Sequence, residues 1–285
     1  MNEKTNRGDT MLTKAELASI KVLEEMCEKD GGFQLKLNFD MLENRTGNNK
    51  EDFFHYEDGE LVGFLASYGF GNKVELCGMV HPDHRRKGIF TRLLEMGLEE
   101  TKKRNILSIL LNAPTDSQSA KEFLKNIPCT FSIAEYQMKW QKTELIEDPA
   151  VTLRPSITTG DFEAEIQLEV FAFGFKKEEA RNFNMQIREN YNDQNLIIES
   201  DGKTTGKMRV VELDGEAWIY GFAVFPELQG KGIGRKALSR IVKMEEQKGL
   251  SIFLEVEAKN AHALKLYESC GFRRYHSQDY YQYQN

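Results

Sequence analysis

The sequence lacks the markers of several protein classes. It has four cysteines in 285 residues, none of them spaced as C-x-x-C, which argues against a disulfide framework and against a zinc cluster. No stretch approaches the roughly 18 apolar residues of a membrane-spanning helix, and the N-terminal segment has no apolar core of the secretory kind. We therefore expect reduced thiols, a cytoplasmic protein and no membrane partner.

An excess of basic residues is also absent. The chain carries 38 Lys and Arg against 45 Asp and Glu, a formal charge of −7 at pH 7. We expect no nucleic-acid partner, because phosphate affinity comes from net basic surface. Basic residues are nevertheless concentrated beside two glycine-containing segments, where they would suit a small polyanionic ligand. They are Arg85, Arg86, Lys87 and Arg92 at the first segment, and Lys231, Arg235 and Lys236 at the second.

The two glycine-containing segments are copies of one pattern. The second runs from Phe225 to Arg235, between an apolar strand-like run and an amphipathic helix, and the first runs from His81 to Phe90. A repeat at half the chain length predicts two domains, residues 1–145 and 150–285, joined by a polar linker at 141–150. Four pairs of residues recur at a constant separation of 144 positions: Pro82 and Pro226, Arg85 and Gln229, Lys87 and Lys231, Gly88 and Gly232.

Hydrophobic periodicity and turn signals predict a similar order of elements in both halves. The second half is expected to contain strand 151–155, helices 161–173 and 177–188, strands 195–200, 207–213 and 217–224, helix 233–248, strand 251–257, helix 261–269 and a closing strand at 280–283. The first half is expected to contain helix 13–28, a hairpin through Asp58-Gly59, strand 74–80, helix 90–104, strand 106–112, helix 117–126 and strand 132–140. It has no obvious counterpart of the strand that opens the second half.

A glycine-rich loop at the start of a helix gathers backbone N–H groups and the positive end of the helix dipole at one point, which suits a pyrophosphate. Two kinds of loop fit the spacing poorly. A nucleoside-triphosphate loop needs a Ser or Thr after a second Gly-Lys, which this segment lacks. A dinucleotide-binding loop needs a third glycine where the chain has Arg235, although Glu255 stands about 20 residues further on, where a ribose ligand would sit.

The remaining pattern is Gln or Arg followed by x-x-Gly-x and Gly or Ala, after a strand ending in Val-x-Pro. It resembles the acyl-CoA-binding motif of the GNAT superfamily of N-acetyltransferases over residues 151–285. The resemblance implies an α/β (α+β) fold of two tandem domains of this type, each with a mixed, mostly antiparallel sheet flanked by helices. The residues that carry it are Val224, Pro226, Gln229, Gly232 and Gly234, with Asn260 and Tyr267 further on.

The resemblance also implies a site for acetyl-CoA as cosubstrate. Asn260 would orient the cofactor, and Tyr267 would protonate the departing thiolate, as a phenol with an ordinary pKa near 10 can do. The general base is expected among the carboxylates around the Asp214-Gly215 turn, with Glu216 as the first choice. The pantetheine arm would contact Phe222, Ala223 and Val224, and the pyrophosphate would be held by the backbone of Gln229, Gly230, Lys231, Gly232, Ile233, Gly234 and Arg235.

The first half departs from the motif at the positions that carry the chemistry. The 144-residue offset places Phe123 at the position of Tyr267 and Phe90 at that of Gly234. Phe123 cannot donate a proton, and Phe90 is expected to put a bulky ring near the phosphates. We therefore expect a degenerate domain that binds CoA without turnover or has a structural role.

These inferences favour an N-acetyltransferase that moves an acetyl group from acetyl-CoA to a primary amine of a small molecule or peptide, with the chemistry in the second domain. His81 and His84 have no third ligand beside them, so no metal is expected. Two alternatives stay open: a non-catalytic acetyl-CoA-binding sensor or scaffold, and an acyltransferase that acts on a hydroxyl or uses a longer acyl chain. The acceptor is not specified, and both a monomer and a homodimer are compatible with two domains per chain.

Overall fold

The computed structural model describes residues 11–45, 49–70, 73–104, 106, 108–146, 148–190 and 194–284. They fold into two compact units. The first unit comprises the described residues up to Ile133 and those from Gln278 onward, and the second comprises Ala134–Ser277. These bounds differ from the expected ranges 1–145 and 150–285, because the last strand of each half lies partly in the other unit's sheet. None of the described helices is long and apolar enough to cross a membrane.

Both halves of the chain contain strands that lead into a glycine loop, followed by helix, strand, helix and strand. A single 3₁₀ turn starts each loop, at Pro82–His84 and Pro226–Leu228. The first half has α1 (Lys14–Gly31), α2 (Phe39–Glu43), β1 (Asp52–Glu57), β2 (Glu60–Phe70), β3 (Lys73–Val80), α3 (Ile89–Lys103), β4 (Ser108–Pro114), α4 (Gln118–Leu124) and β5 (Cys129–Trp140). The second half has β6 (Val151–Pro155), α5 (Thr159–Phe173), α6 (Lys177–Asn190), β7 (Gln194–Ser200), β8 (Lys203–Leu213), β9 (Glu216–Val224), α7 (Ile233–Gln247), β10 (Ser251–Glu257), α8 (Ala261–Ser269) and β11 (Phe272–Tyr283).

The repeat in the sequence is a repeat of structure. The helix after each loop begins at Ile89 and Ile233 and ends at Lys103 and Gln247, and both pairs of residues are 144 positions apart. Within the described residues the first half has three strands ahead of its loop and the second has four. The prediction that the first half lacks a counterpart of the opening strand β6 therefore agrees with the structure.

The sheet of the first unit has the order β1-β2-β3-β4-β11. Only β3 and β4 are parallel among these neighbours. Strand β2 is buried on both faces: Phe64 packs with α1, while Leu65 packs in a second cluster with α3. Helix α1 begins with a capping box, in which Thr13 and Glu16 satisfy each other's backbone N–H groups. Helices thus cover both sides of this sheet.

The sheet of the second unit has the order β5-β10-β9-β8-β7-β6, with only β9 and β10 parallel. One face packs against α7 and α8 through a core that includes Ile219, Ile241, Leu254 and Leu264. Helix α5 packs on β8 and β9, and it begins with a capping box at Thr158. This arrangement leaves the end of β9, where the glycine loop begins, next to helices that can carry functional groups.

The closing strands of the two halves are exchanged. In the second unit, Met138 of β5 stands opposite Leu254 of β10. In the first unit, Gln282 of β11 stands opposite Leu110 of β4, which is the same register shifted by 144 residues. Met138 is fully buried in the core of the second unit. Each unit is therefore completed by a strand from the other half of the sequence.

Candidate active site

The glycine loop of the second unit connects β9 to α7. Gly230 (φ 74°) and Gly232 (φ 78°) are both in the left-handed region, which glycine adopts without steric cost. Gly232 is the N-cap of α7, and among the described residues no side chain accepts a hydrogen bond from the N–H groups of its first turn. The first amides of a helix have no partner within the helix. The loop therefore has the donors and the dipole orientation of an anion cradle.

Side chains around this loop have separate tasks. Gln229 Nε2 donates a hydrogen bond to the Val224 carbonyl at 3.0 Å and so holds the loop against the end of β9. Lys236 Nζ pairs with Asp148 Oδ2 at 2.6 Å. Lys231 is exposed beside the cradle, as is Arg235. An anion bound by the loop would meet their positive charge from the solvent side.

The loop of the first unit has the same conformation. Arg86 (φ 66°) and Gly88 (φ 79°) take the places of the two left-handed glycines. Arg85 Nε donates to the Val80 carbonyl at 3.1 Å, which repeats the hydrogen bond that fixes the second loop. A left-handed residue other than glycine is uncommon, yet Arg86 keeps the turn. Loop geometry alone does not distinguish the two units.

The strands of the second unit separate where the loop begins. β9 and β10 pair in parallel only as far as Ile219 and Leu254. Phe222, Ala223 and Val224 lie beyond this last pair, so the β10 ladder does not reach them. An opening of this kind can accept an extended amide chain that pairs with the strand backbone.

A β-bulge at Gly221 re-aims the side chains of β9. The register of the β8–β9 ladder shifts between Lys207 and Arg209, so that Gly221 and Phe222 stand opposite a single β8 residue. Ile219 belongs to the core under α7, and Phe222 packs against the same core although it is three residues further on. In a regular strand that spacing would place the two side chains on opposite faces. The bulge therefore turns Phe222 toward the helices.

Tyr267 lies on α8 against the re-aimed ring of Phe222. The two ring centroids are 6.3 Å apart, and Tyr267 is 8% exposed. Burial raises the pKa of its phenol to about 12. The hydroxyl therefore keeps its proton at neutral pH and can act as a proton donor.

Asn260 caps the helix that carries this tyrosine. Its Oδ1 accepts a hydrogen bond from the backbone N–H of Ala263 at 3.1 Å, which is the usual task of an N-cap side chain. Tyr267 follows about two turns later on the same helix. The expected contact of Asn260 with a cofactor stays a prediction, while its cap fixes the start of the helix that positions Tyr267.

Glu216 lies at the end of β9 opposite the glycine loop. It is the first residue of β9, and its Oε2 accepts a hydrogen bond from Trp218 Nε1 at 2.8 Å. The loop starts after Val224 at the other end of the strand, about 26 Å away at the rise of a β-strand. Glu216 as the general base stays a prediction; it lies six residues before Phe222, about 20 Å along the strand.

Glu255 is a carboxylate at the opening that the sequence analysis did not select as a base. It follows Leu254, the last β10 residue paired with β9, and its Oε1 accepts a hydrogen bond from Gln137 Nε2 at 3.0 Å. Leu254 and Val256 are core residues, so Glu255 faces the other side of the sheet. The sequence shows Glu255 as an acidic residue between apolar neighbours, but it does not show where the pairing of β9 with β10 ends.

The corresponding region of the first unit is an apolar cavity of about 690 Å³. β3 and β4 pair only as far as Leu76 and Leu111, so these strands also separate. The rings of Phe90 and Phe123 lie in its wall, perpendicular to each other with centroids 5.0 Å apart. No tyrosine is among the described residues that line it. This cavity keeps the shape of a binding site without the phenol of the second unit.

Known proteins resemble the chain over both halves. A model of the Acetyltransferase (GNAT) family matches residues 20–126 and 162–272. The mycothiol acetyltransferase of Saccharomonospora viridis is 28% identical over 240 residues, which cover 75% of this chain and 76% of that protein. The ribosomal protein bS18-alanine N-acetyltransferase of Salmonella typhimurium is 36% identical over 118 residues, which cover 41% of this chain and 77% of that protein.

Solved structures share the fold. A GCN5-related N-acetyltransferase from Sphaerobacter thermophilus has a TM-score of 0.75 at 19% identity and covers 95% of this chain and 93% of its own. A tandem GNAT protein from the clavulanic acid biosynthesis pathway has a TM-score of 0.68 at 16% identity and covers 93% of this chain and 94% of its own. Identities this low carry the fold alone.

Proposed function

The chain belongs to the acetyltransferase (GNAT) family, and we propose that its second unit transfers an acetyl group from acetyl-CoA to a primary amine of a small molecule or peptide. One observation carries the proposal. The contact between Phe222 and Tyr267 puts a protonated phenol beside the opening between β9 and β10, at the end of β9 that leads into the glycine loop. The first unit has Phe123 at the position of Tyr267.

The loop would hold the diphosphate of acetyl-CoA. Backbone N–H groups between Gln229 and Arg235 supply neutral donors at the positive end of the α7 dipole. Exposed Lys231 and Arg235 add an attraction that salt screens. The pantetheine arm would run from the loop along Phe222–Val224, where it can pair with strand backbone. This path brings the thioester toward Tyr267.

The acceptor amine attacks the thioester carbonyl carbon, a C–N bond forms, and the C–S bond breaks to release the CoA thiolate. Tyr267 gives its proton to that sulfur. A phenol with a pKa near 12 is protonated throughout the neutral range, and general acids of this kind typically contribute about 10²- to 10⁴-fold in rate. Direct attack requires no covalent acyl-enzyme, so one proton donor and one proton acceptor suffice.

We assign the proton acceptor to Glu255 in place of Glu216. An ammonium group must lose a proton before its nitrogen can attack. Glu255 is the first β10 residue beyond the part of the strand that pairs with β9. Gln137 donates a hydrogen bond to one of its oxygens and so orients the carboxylate. It can take the proton directly or through a water molecule.

The first unit is assigned a non-catalytic role. It keeps the loop conformation and an apolar cavity, but it has no phenol at the position of Tyr267. Of the relatives described above, one is named for the small molecule mycothiol and the other for an alanine of a ribosomal protein. These names support either a small molecule or a peptide N-terminus as acceptor here, and a panel of both is the rational choice for a first assay.

The test uses the full chain, since each unit contains a strand from the other half of the sequence. Calorimetry should detect acetyl-CoA binding, and free thiol should appear when amines, polyamines, amino acids and peptides are added. Tyr267→Phe should lower turnover by about 10²-fold or more and leave acetyl-CoA affinity unchanged. Binding without thiol release over the whole panel would instead identify a sensor or scaffold. No binding at all would refute the proposal.

A further inference from the structure

A buried ion pair lies in the second unit on the sheet face that α5 covers. Lys207 of β8 and Glu169 of α5 are only 7% and 4% exposed, and the Lys207 Nζ donates to Glu169 Oε1. Removing two charges from water is costly, and well-packed apolar residues often stabilise a fold equally well. A buried pair of this kind therefore calls for a reason other than stability.

The pair faces the bulge of β9. A Cβ atom placed on Gly221 would lie 3.7 Å from Lys207 Nζ and 4.0 Å from Glu169 Oε1. Gly221 has φ 55°, a conformation that side chains rarely adopt. The ion pair thus lies directly against the one residue whose backbone creates the bulge, and the next residue is the Phe222 that contacts Tyr267.

The first unit provides an internal control. Its β2–β3 ladder runs from Gly63 with Val80 to Phe70 with Lys73 without a register shift. Strand β2, the counterpart of β8, has no charged side chain between Leu61 and Phe70. Counted from the capping boxes at Thr13 and Thr158, the position of Glu169 corresponds to Glu24, which is half-buried. The fold forms there with apolar packing of α1 on the sheet, so the fold itself does not require the pair.

Three features therefore occur together in the second unit: the bulge at Gly221, the buried ion pair and the phenol of Tyr267. Among the described residues of the first unit none of the three is present at the corresponding place. Their joint presence in the unit with the proton donor indicates a task linked to the reaction.

We propose that Lys207 and Glu169 are positioning residues that hold the β9 bulge in the orientation in which its backbone meets the thioester carbonyl. This inference rests on the proposed function. The β8 ladder skips Gly221 and the β10 ladder ends before it, so strand pairing does not fix this turn of chain, and the ion pair and the packing of Phe222 contact it instead. Preorganised backbone dipoles at a reacting carbonyl are worth about 10²- to 10³-fold in rate.

The test compares variants of the full chain by calorimetry, steady-state kinetics and thermal unfolding. Because a single change leaves an unpaired buried charge, the main variant is Lys207→Met with Glu169→Leu, which removes both charges and keeps the volume. We expect unchanged affinity for CoA, loss of any preference for acetyl-CoA over CoA, a KM for acetyl-CoA that rises by no more than that preference, and kcat lowered by about 10- to 100-fold. Exchanging the charges, Lys207→Glu with Glu169→Lys, should recover part of kcat.

The matched control is Glu165→Gln. Glu165 lies one turn earlier on α5 and is 2% exposed. Its Oε2 is 2.8 Å from Nη2 of Arg188 on α6, so its ion pair does not involve the bulge. It should lower the melting temperature and leave kcat and the acetyl-CoA preference at wild-type values. The positioning role is wrong if the charge-free double variant keeps wild-type kcat and preference while the wild type binds and turns over acetyl-CoA. A wild type that binds no acetyl-CoA would overturn the proposed function itself, and this inference with it.

Discussion

The ring of Phe90 lies against Gly78, where an added Cβ atom would come within 2.9 Å of Phe90 Cε2. The counterparts 144 residues later have exchanged identities: Phe222 stands at the strand position and Gly234 at the helix position. There a Cβ on Gly234 would lie 3.5 Å from Phe222 Cζ. Both units thus place one aromatic ring between the strand and the helix after the loop. The ring of Phe90 packs against the strand and lines the cavity beside the loop, and the expectation that it crowds the phosphates stays a prediction.

The exchange predicts strong coupling between the two positions. Gly78→Phe alone would add a second ring to occupied space and put a Cβ atom 2.5 Å from the Phe64 carbonyl oxygen, so it should destabilise by at least about 1–3 kcal/mol. Phe90→Gly alone would leave a cavity costing about 3–5 kcal/mol. The double variant restores one ring from the strand side, while the clash of the new Cβ with the Phe64 carbonyl oxygen is common to it and to Gly78→Phe. We expect the decrease in the double variant's free energy of unfolding to be smaller, by at least about 1 kcal/mol, than the sum of the decreases in the two single variants. Urea unfolding of the four proteins measures this, and strictly additive losses would contradict it.

Substitution of two glycines with equal backbone geometry distinguishes the effect of loop strain on stability from its effect on ligand binding. Gly232 has φ 78° and Gly88 has φ 79°, so alanine at either position pays the same left-handed cost of about 1–2 kcal/mol. Gly232→Ala should also weaken acetyl-CoA binding and raise KM, because the strain shifts the amides that would hold the diphosphate. Gly88→Ala should lower the melting temperature by a similar amount without changing turnover. Equal kinetic effects of the two variants would refute the assignment of chemistry to the second unit.

The loop was predictable from the sequence because its geometry is local. Gly230 and Gly232 sit where the chain needs a positive φ, and the helix begins at Ile233 as expected. The bulge at Gly221 was not predictable, because it exists only relative to the pairing of β8 with β9. β11 begins at Phe272, earlier than its expected aromatic part at 280–283, since charged and polar residues interrupt the apolar pattern at its start.

Tyr267 gives a dependence of stability on pH with a definite sign. Burial raises its pKa from the ordinary value near 10 to about 12, so the folded chain keeps a proton that the unfolded chain has released. The resulting stabilisation of the folded chain is fully present below pH 10 and is lost as the pH rises through 12. At 1.36 kcal/mol per pKa unit, the shift is worth about 2.7 kcal/mol in full, and the wild type should lose about 2 kcal/mol of this relative to Tyr267→Phe between pH 9 and pH 11.5. Urea unfolding of both proteins at pH 9 and pH 11.5 measures it, and a constant difference would show that the phenol is not buried in solution.

The assignment of the base is tested by two isosteric changes on neighbouring strands. Glu255→Gln should lower kcat by about 10²-fold and flatten the acidic limb of the pH–rate profile, because the group that accepts the proton is gone. Glu216→Gln keeps an oxygen that can accept from Trp218 Nε1 and should leave the profile unchanged. A loss confined to Glu216→Gln would restore the base that the sequence alone suggested and refute Glu255.

Exchange of the closing strands predicts how fragments behave. A fragment of residues 150–285 lacks β5, so the edge of β10 is unpaired and the core loses Met138, which is fully buried. Loss of one such side chain typically costs about 2–5 kcal/mol, and here the whole strand is missing. A fragment of residues 134–285 retains that strand.

We therefore expect cooperative thermal unfolding of 134–285, and a melting temperature at least about 10 °C lower, or no cooperative transition, for 150–285. Both fragments contain residues 278–284 without their β4 partner, so that shared defect cancels and the comparison isolates residues 134–149. Circular dichroism at equal concentration measures the transitions. Equal melting temperatures would mean that β5 adds nothing to the second unit, and the domain boundary expected at residue 150 would then be sufficient for folding.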